Sequence, residues 1–193
     1  MLLLYAIPVG IFIGLAGGGR LSELAGVRIR FWPLALGGLV FQLSLFSPPV
    51  ASAVGIWGPV LYVGSTLVVL LALLANLGQP GFRLILYGST LNLVAILLNG
   101  GQMPATAEAI AALNGLAQLP AEAFSNSALA GPTTHFAILG DVFVLPRPIP
   151  FANVFSIGDV LIGIGGVVFI GRTMAAASRS SAQPASGAHT AHA

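Results

Sequence analysis

Two acidic residues, Asp141 and Asp159, are the best candidates in this sequence for catalytic chemistry. When two carboxyl groups approach within hydrogen-bonding distance, repulsion separates their titrations, so that one acts as a base toward water while the other donates a proton. Such catalysis requires the two side chains, eighteen positions apart in the chain, to meet in the folded protein. The elements that carry them therefore decide whether a dyad forms.

Amide, imidazole and guanidinium side chains accompany the two acids and are the candidate ligand-binding residues. Asn99, Gln102, His135 and Arg147 are expected at the same depth of the fold as the two acids, and Asn92 shares a helix face with Asn99. Convergent polar groups of this kind are typical of a binding pocket. We therefore expect an outward-facing polar pocket for a small ligand.

Several of these residues also have a purely structural interpretation. Ser156 and Asp159 have the spacing of a capping box, in which each side chain bonds the other residue's backbone N–H at the start of a helix. Asn99 followed by two glycines is typical of a helix C-terminus. Polar groups inside apolar helices commonly join neighbouring helices by hydrogen bonds of about 1 kcal/mol each. At this point a set of structural joints and a functional pocket both remain open.

The composition indicates that these residues sit on membrane-spanning helices. Of the 193 residues, 56% are hydrophobic and only 6% are charged, whereas about a quarter of a soluble domain is charged. Five apolar runs have about the length that a hydrocarbon core of roughly 30 Å demands. We predict an all-α integral membrane protein with five transmembrane helices at about 2–19, 31–46, 59–77, 82–98 and 154–171.

The arginines predict the orientation of these helices. Six of the seven fall in alternate connections or after the last helix: Arg20, Arg28, Arg30, Arg83, Arg172 and Arg179. The positive-inside rule places those segments in the cytoplasm, so the N-terminus is expected outside and the C-terminus inside. The outer loop 100–153 then carries most of the candidate site, and a single membrane domain, 1–177, precedes a disordered cytoplasmic tail, 178–193.

The long outer loop has a weaker pattern of its own. Helical spacing of apolar residues predicts short interfacial helices over 105–119 and from Pro120 to Leu129. The apolar segment 134–145 is too short to cross a bilayer, which favours an interfacial or re-entrant position for Asp141. The segments 47–58 and 78–81 are expected to be simple connectors. Glycines at positions 10, 14 and 18 predict a helix-packing face.

Several function classes are excluded by what the sequence lacks. Without cysteine there is no thiolate metal site or iron–sulfur cluster, and no motif for nucleotide, flavin or haem is present, so we expect no cofactor. His189 and His192 lie in the predicted disordered tail, which disfavours a metal site there. The arginines flank helices instead of forming a basic stripe, which argues against nucleic acid. The expected partners are the lipid bilayer and either a membrane-protein partner or a second copy of the chain.

Four motifs together resemble an uncharacterised family of bacterial multi-spanning membrane proteins, known as a domain of unknown function. The motifs are Leu91-Asn92-Leu93, Asn99-Gly100-Gly101-Gln102-Met103-Pro104, Leu139-Gly140-Asp141 and Ser156-Ile157-Gly158-Asp159. This resemblance implies a bacterial plasma (inner) membrane location and supplies no activity. The leading interpretation is a structural or accessory component, or a small-ligand-binding membrane protein.

A second resemblance is local and implies chemistry. Asp141 in Gly-Asp-Val-Phe and Asp159 in Phe-Ser-Ile-Gly-Asp are similar to the two catalytic aspartates of lipoprotein signal peptidase, which implies an intramembrane aspartic dyad. The chain departs from that family, since Ser156 and Gly158 replace its asparagine and alanine. Its Gly-Asn-x-x-Asp-Arg element is also absent, and one additional helix is expected. A peptidase or hydrolase is therefore the alternative to the accessory protein.

Overall fold

The computed structural model describes residues 3–45, 47–114 and 127–180, and these are mostly helical. The helices are α1 (Leu3–Ala16), α2 (Ser22–Ala25), α3 (Trp32–Leu45), α4 (Pro48–Val54), α5 (Gly58–Leu74), α6 (Phe82–Leu98), α7 (Ala107–Asn114) and α8 (Ile157–Ser180). The strands are β1 (Met103–Ala105), β2 (Ser127–Leu129), β3 (Phe143–Leu145) and β4 (Asn153–Phe155). Single 3₁₀ turns occur at Gly55–Trp57 and Ala137–Leu139.

Helix α8 packs against α1 through small residues on α1. A methyl group at Gly10 would lie 2.8 Å from Cβ of Ile170, and one at Gly14 would lie 2.7 Å from the sulfur of Met174. Moving four residues along α1, from Gly10 to Gly14, moves the contact four residues along α8, from Ile170 to Met174. Helices α1 and α8 therefore run parallel. The prediction of a packing face is confirmed for these two glycines. It is wrong for Gly18, which lies just beyond the end of α1 with φ +76°, and where a methyl group would meet no atom within 4 Å.

Helix α6 packs against the other side of α8, and here the two backbones approach closely. Gly81 and Gly88 face Gly165 and Gly158, respectively. A methyl group at Gly165 would lie 2.7 Å from the carbonyl oxygen of Gly81. The two pairs have the same seven-residue spacing, and the contact runs in opposite senses along the helices. Glycine thus occupies the positions where the antiparallel helices α6 and α8 come closest, and this allows their backbones to approach.

Helices α3 and α5 form a second antiparallel pair. Gln42 donates a hydrogen bond to the hydroxyl of Thr66 at 2.9 Å, and the backbone at Gly38 approaches the Val69 side chain. Helix α5 connects to α6 through a tight turn that ends at Gly81, which has φ +78°. Leu70, Leu73, Phe82 and Leu93 form a buried cluster across this hairpin. Because α5 pairs with α3 and α6 packs against α8, this hairpin links the α3–α5 pair to helices α1 and α8.

Among the described residues, two helical stretches are long and apolar enough to span a membrane: Pro49–Leu74, which combines α4, a 3₁₀ turn and α5, and Ile157–Ala175 of α8. Three further apolar helices are shorter: Leu4–Ala16, Trp32–Leu45 and Phe82–Leu98. The prediction of a mostly helical protein with long apolar helices is confirmed at this level. The segment 47–58, expected to be a connector, is instead largely helical.

The all-α prediction is wrong in the outer loop, where four short strands occur. Strand β1 pairs in parallel with β2, and β3 pairs antiparallel with β4. The expected helix over 105–119 begins only at Ala107, because Ala105 belongs to β1. Its C-terminal part and most of the second interfacial helix lie outside the described residues, and Ser127–Leu129 is strand. Three-residue strands leave no periodic signal, so sequence reading could not find them.

Helix boundaries differ from expectation mainly around α8. The predicted span 154–171 begins later, since Val154 and Phe155 belong to β4, and the helix continues to Ser180. The first three residues of the predicted tail are therefore helical, and 181–193 lie outside the described residues. The segment 134–145, predicted to be interfacial or re-entrant, contains a 3₁₀ turn and β3. Residue 2 and residue 46 of the predicted first and second helices also lie outside the described part.

Candidate functional site

Asp159 lies in the first turn of α8 and forms a reciprocal capping box with Ser156. The backbone N–H of Asp159 donates to the Ser156 hydroxyl at 3.0 Å, and the backbone N–H of Ser156 donates to the Asp159 carboxylate at 3.0 Å. The capping box inferred from the sequence is confirmed. It satisfies two backbone donors that a helix start otherwise leaves unpaired, and it puts a negative charge at the positive end of the helix.

Asn92 of α6 closes this capping box into a three-residue network across the two helices. Its amide nitrogen donates to the second Asp159 oxygen at 2.9 Å, and its amide oxygen accepts from the Ser156 hydroxyl at 2.8 Å. The network is possible because Gly158 has no side chain: a methyl group there would overlap the Asn92 amide oxygen. The close approach of α6 and α8 at Gly88 and Gly158 therefore allows the Asn92 side chain to contact Ser156 and Asp159.

Asp141 lies next to β1 and is only 8% exposed. Its backbone N–H donates to the carbonyl of Pro104 at 2.8 Å, and its own carbonyl accepts from the N–H of Thr106 at 3.2 Å. These bonds extend the β1 edge and fix the residue at the junction of the outer loop with α6. Asp141 is thus held by backbone pairing that the sequence pattern did not reveal.

Tyr62 of α5 lies near both acids, and its sequence context did not single it out. Its phenol lies within electrostatic range of both the Asp159 and the Asp141 carboxylates. The two acids are therefore brought to the same end of the helices, on α8 and beside β1. The available signal was a single tyrosine within an apolar run, which is too common to single out.

Asn99 forms a clamp between the end of α6 and the outer loop. Its amide nitrogen donates to the carbonyls of Ala95 at 2.7 Å and His135 at 2.9 Å. Its amide oxygen accepts from the backbone N–H of His135 at 2.9 Å. Gly100 and Gly101 follow with φ of +70° and +84°, so the predicted helix C-terminus is confirmed. The His135 side chain is exposed beside this clamp.

A shallow cavity of about 360 Å³ opens next to the clamp. Asn99, Thr134 and His135 supply polar groups on its lining, and Leu98 and Leu129 supply apolar ones. The cavity is partly open to the surroundings and lies between the end of α6 and the loop 100–153.

The remaining predicted site residues are not part of these networks. The backbone N–H of Gln102 donates to the carbonyl of Asn99 at 3.4 Å, and its side chain is half-buried. Arg147 is exposed in the loop between β3 and β4 and precedes a cis proline. In the ranges that the structure describes, no group of three or more acidic or histidine side chains could hold a metal ion.

A second asparagine clamp occurs at the opposite end of the α5–α6 hairpin. The Asn76 amide donates to the carbonyls of Ala72 and Arg30, both at 2.7 Å, and accepts from the backbone N–H of Arg30 at 2.7 Å. Asn76 is only 5% exposed. Its geometry repeats that of Asn99, with the own-helix carbonyl four residues back and both backbone groups of one loop residue as partners.

Comparison with known proteins identifies the family of the chain. The model of a family of unknown function, DUF5317, matches residues 26–171. The chain belongs to this family. The matched region contains the Asn92–Ser156–Asp159 network and both asparagine clamps, and it begins after α1.

One relative is similar to this chain over about two thirds of its length. An uncharacterised protein from Thermotoga maritima is 29% identical over 130 residues, which cover 66% of this chain and 72% of the relative. No solved structure matches the chain.

Proposed function

We propose that the protein crosses the bacterial plasma membrane five times, through α1, α3, α5, α6 and α8, with its N-terminus outside and its C-terminus inside. The relative directions of the helices support this topology. Helix α1 runs parallel to α8, whereas α6 runs antiparallel to it, and α3 runs antiparallel to α5. Helices that cross a bilayer in succession must alternate in this way.

Apolar side chains that face outward give this proposal its second support. Phe12 of α1 is 72% exposed, Leu43 of α3 is 61% exposed and Leu71 of α5 is 65% exposed. In water, contiguous surfaces of this kind drive association, because soluble monomers rarely expose apolar patches above a few hundred Å². In a bilayer the same surfaces contact lipid chains at no cost.

We propose further that the protein is a structural or accessory membrane component that presents a small outward-facing binding surface. The observation that carries this proposal is the Asn92–Ser156–Asp159 network, in which both Asp159 oxygens accept hydrogen bonds from the protein itself. Such a carboxylate stabilises a helix junction. Together with Asn99 it holds the outer loop on the helix ends and keeps the cavity beside His135 in a fixed shape.

An aspartic-dyad hydrolase is the second candidate, and Tyr62 is the observation that favours it. Its phenol lies within electrostatic range of both carboxylates. A tyrosine in that position could hydrogen-bond a reacting carbonyl while one of the acids activates water. We rank this candidate below the accessory protein because Ser156 and Gly158 differ from the residues of the peptidase motif at those positions.

Conservative amide substitutions separate the two candidates. Asp141→Asn and Asp159→Asn would each be purified from membranes alongside Glu108→Gln, an acid-to-amide control at an exposed position of α7. Co-purifying proteins and hydrolysis of a fluorogenic lipopeptide would be measured for each. We expect all three to retain the partners of the parent protein and none, including the parent, to hydrolyse the peptide. Hydrolysis by the parent that both aspartate variants lose would establish the dyad and overturn the accessory proposal.

A further inference from the structure

At the end opposite to the candidate site, the backbone of two arginines is bonded by the side-chain amides of Asn76, which is buried, and Gln79, which is half-buried. Asn76 bonds both backbone groups of Arg30 at 2.7 Å, and the side-chain amide of Gln79 donates to the carbonyl of Arg28 at 3.3 Å. Between the arginines, Ile29 packs against the buried cluster of the α5–α6 hairpin. Both arginines are exposed, so the segment directs its apolar residue inward and its two charges outward.

A third arginine lies next to this segment at the start of α6. Arg83 is exposed and follows Phe82, whose backbone N–H donates to the carbonyl of Gln79 at 3.3 Å, and the Gln79 side chain in turn bonds Arg28. The first turn of α6 has no acidic residue and no side-chain cap. The positive end of the helix dipole therefore adds to the charge of Arg83 without being neutralised there.

These three guanidinium groups have no acidic partner within the described ranges of the chain. Residues 3–114, apart from position 46, and 127–180 form no ion pair with them, and the acid nearest in sequence, Glu23, belongs to the separate short helix α2. Three exposed cations that form no ion pair with the described residues attract an anion that can accept several hydrogen bonds. Guanidinium groups bind phosphate in this way, often through two parallel bonds.

Two aromatic residues indicate that the phosphate belongs to a lipid. Phe31 and Trp32 follow Arg30 directly, and each is 58% exposed. Exposed aromatic rings beside arginines are typical of the interface between headgroups and lipid chains. A free phosphate ion would gain nothing from these rings, whereas a phospholipid contacts the arginines with its headgroup and the rings with its glycerol and upper chain.

We propose that Arg28, Arg30 and Arg83 form a binding site for the headgroup phosphate of an anionic phospholipid at the inner membrane surface. The site rests on the proposed membrane topology, which puts this end of the helices at the cytoplasmic leaflet. Asn76 and Gln79 act as positioning residues that hold the Arg28–Arg30 backbone in place.

Fluorescence quenching tests this proposal because Trp32 lies beside the site. The only other tryptophan, Trp57, is removed by the Trp57→Phe substitution, which serves as the parent for all variants. The parent is reconstituted in vesicles that contain chain-brominated phosphatidylglycerol or chain-brominated phosphatidylcholine at equal mole fraction. A second variant carries Arg28→Gln and Arg30→Gln. A control variant carries Arg20→Gln and Arg172→Gln, which removes the same charge from exposed positions outside the Asn76 clamp.

We expect brominated phosphatidylglycerol to quench Trp32 in the parent and in the control at least about threefold more effectively than brominated phosphatidylcholine, given the attraction between arginines and anionic headgroups. The Arg28/Arg30 variant should lose this preference for phosphatidylglycerol. Added inorganic phosphate should leave the preference of the parent unchanged. The lipid site would be overturned if the two lipids quench Trp32 of the parent equally, or if the control loses the preference for phosphatidylglycerol as the Arg28/Arg30 variant does. Competition by inorganic phosphate would also overturn it. Absence of quenching by either lipid would instead contradict the membrane topology on which the site rests.

Discussion

Replacing Gly158 by alanine tests whether the close crossing of α6 and α8 supports the Asn92 network. A methyl group at Gly158 would overlap the Asn92 amide oxygen and lie 2.6 Å from the carbonyl oxygen of Gly88. The backbone oxygen cannot rotate away, so either the helices separate or Asn92 leaves its position. Both outcomes remove the hydrogen bonds that join Asn92 to Ser156 and Asp159.

The expected loss of stability has two contributions. Interhelical hydrogen bonds in membrane proteins contribute about 0.6 kcal/mol each on average and up to about 1.7, and Asn92 makes two of them. An extra methyl group in a well-packed contact costs about 1–3 kcal/mol. We therefore expect Gly158→Ala to lower the free energy of unfolding by about 3 kcal/mol.

The control for this substitution is Gly64→Ala in α5, where a methyl group would meet no atom within 4 Å. That change should alter the free energy of unfolding by at most about 1 kcal/mol, and in the stabilising direction, since alanine favours helix over glycine. Unfolding would be followed by intrinsic fluorescence in mixed micelles as the fraction of denaturing detergent rises. If Gly158→Ala stays within about 0.5 kcal/mol of the parent protein, the inferred crossing of α6 and α8 is wrong.

Two further substitutions probe the cap and the inner clamp. Ser156→Ala removes the helix cap, which costs about 1 kcal/mol, and it also leaves the Asn92 amide oxygen without its donor. The free energy of unfolding in mixed micelles should therefore fall by about 2 kcal/mol in total. An unchanged unfolding midpoint would contradict the network. Asn76→Ala leaves both backbone groups of Arg30 unpaired, so trypsin should cleave after Arg30 about tenfold faster, as expected if local opening becomes about 1.4 kcal/mol easier. Asn99→Ala, which removes the equivalent clamp at the other end, should not change cleavage at Arg30.

The parts of the site that sequence reading found depend on local geometry. Ser156 and Asp159 are three residues apart, and a capping box is formed within one helical turn, so its spacing is visible in the sequence. The end of α6 at Asn99 was visible for the same reason, because glycine marks a left-handed helix terminus. Gly10 and Gly14 were recognised by their four-residue spacing.

The parts that sequence reading missed depend on contacts between distant segments. The partner of Asn99 is the backbone of His135, and that of Asn76 is the backbone of Arg30; neither backbone group has a sequence signature. Asp141 is fixed by an isolated pairing with β1, whose three residues are too few for a periodic pattern. Tyr62 lies near both acids only because α5 packs beside α6. Such long-range placements follow from the whole fold and not from any one segment.

Cysteine labelling of the cysteine-free chain tests the five-crossing topology most directly. Single cysteines would be placed at Ala53 and Gly131 on the proposed outer side and at Gly26 and Gly78 on the proposed inner side. Ala53 is exposed, and each of the three glycines has room for a side chain. A membrane-impermeant maleimide should label positions 53 and 131 in intact cells, and positions 26 and 78 only after the membrane is permeabilised. Labelling of position 26 or 78 in intact cells would contradict the proposed topology.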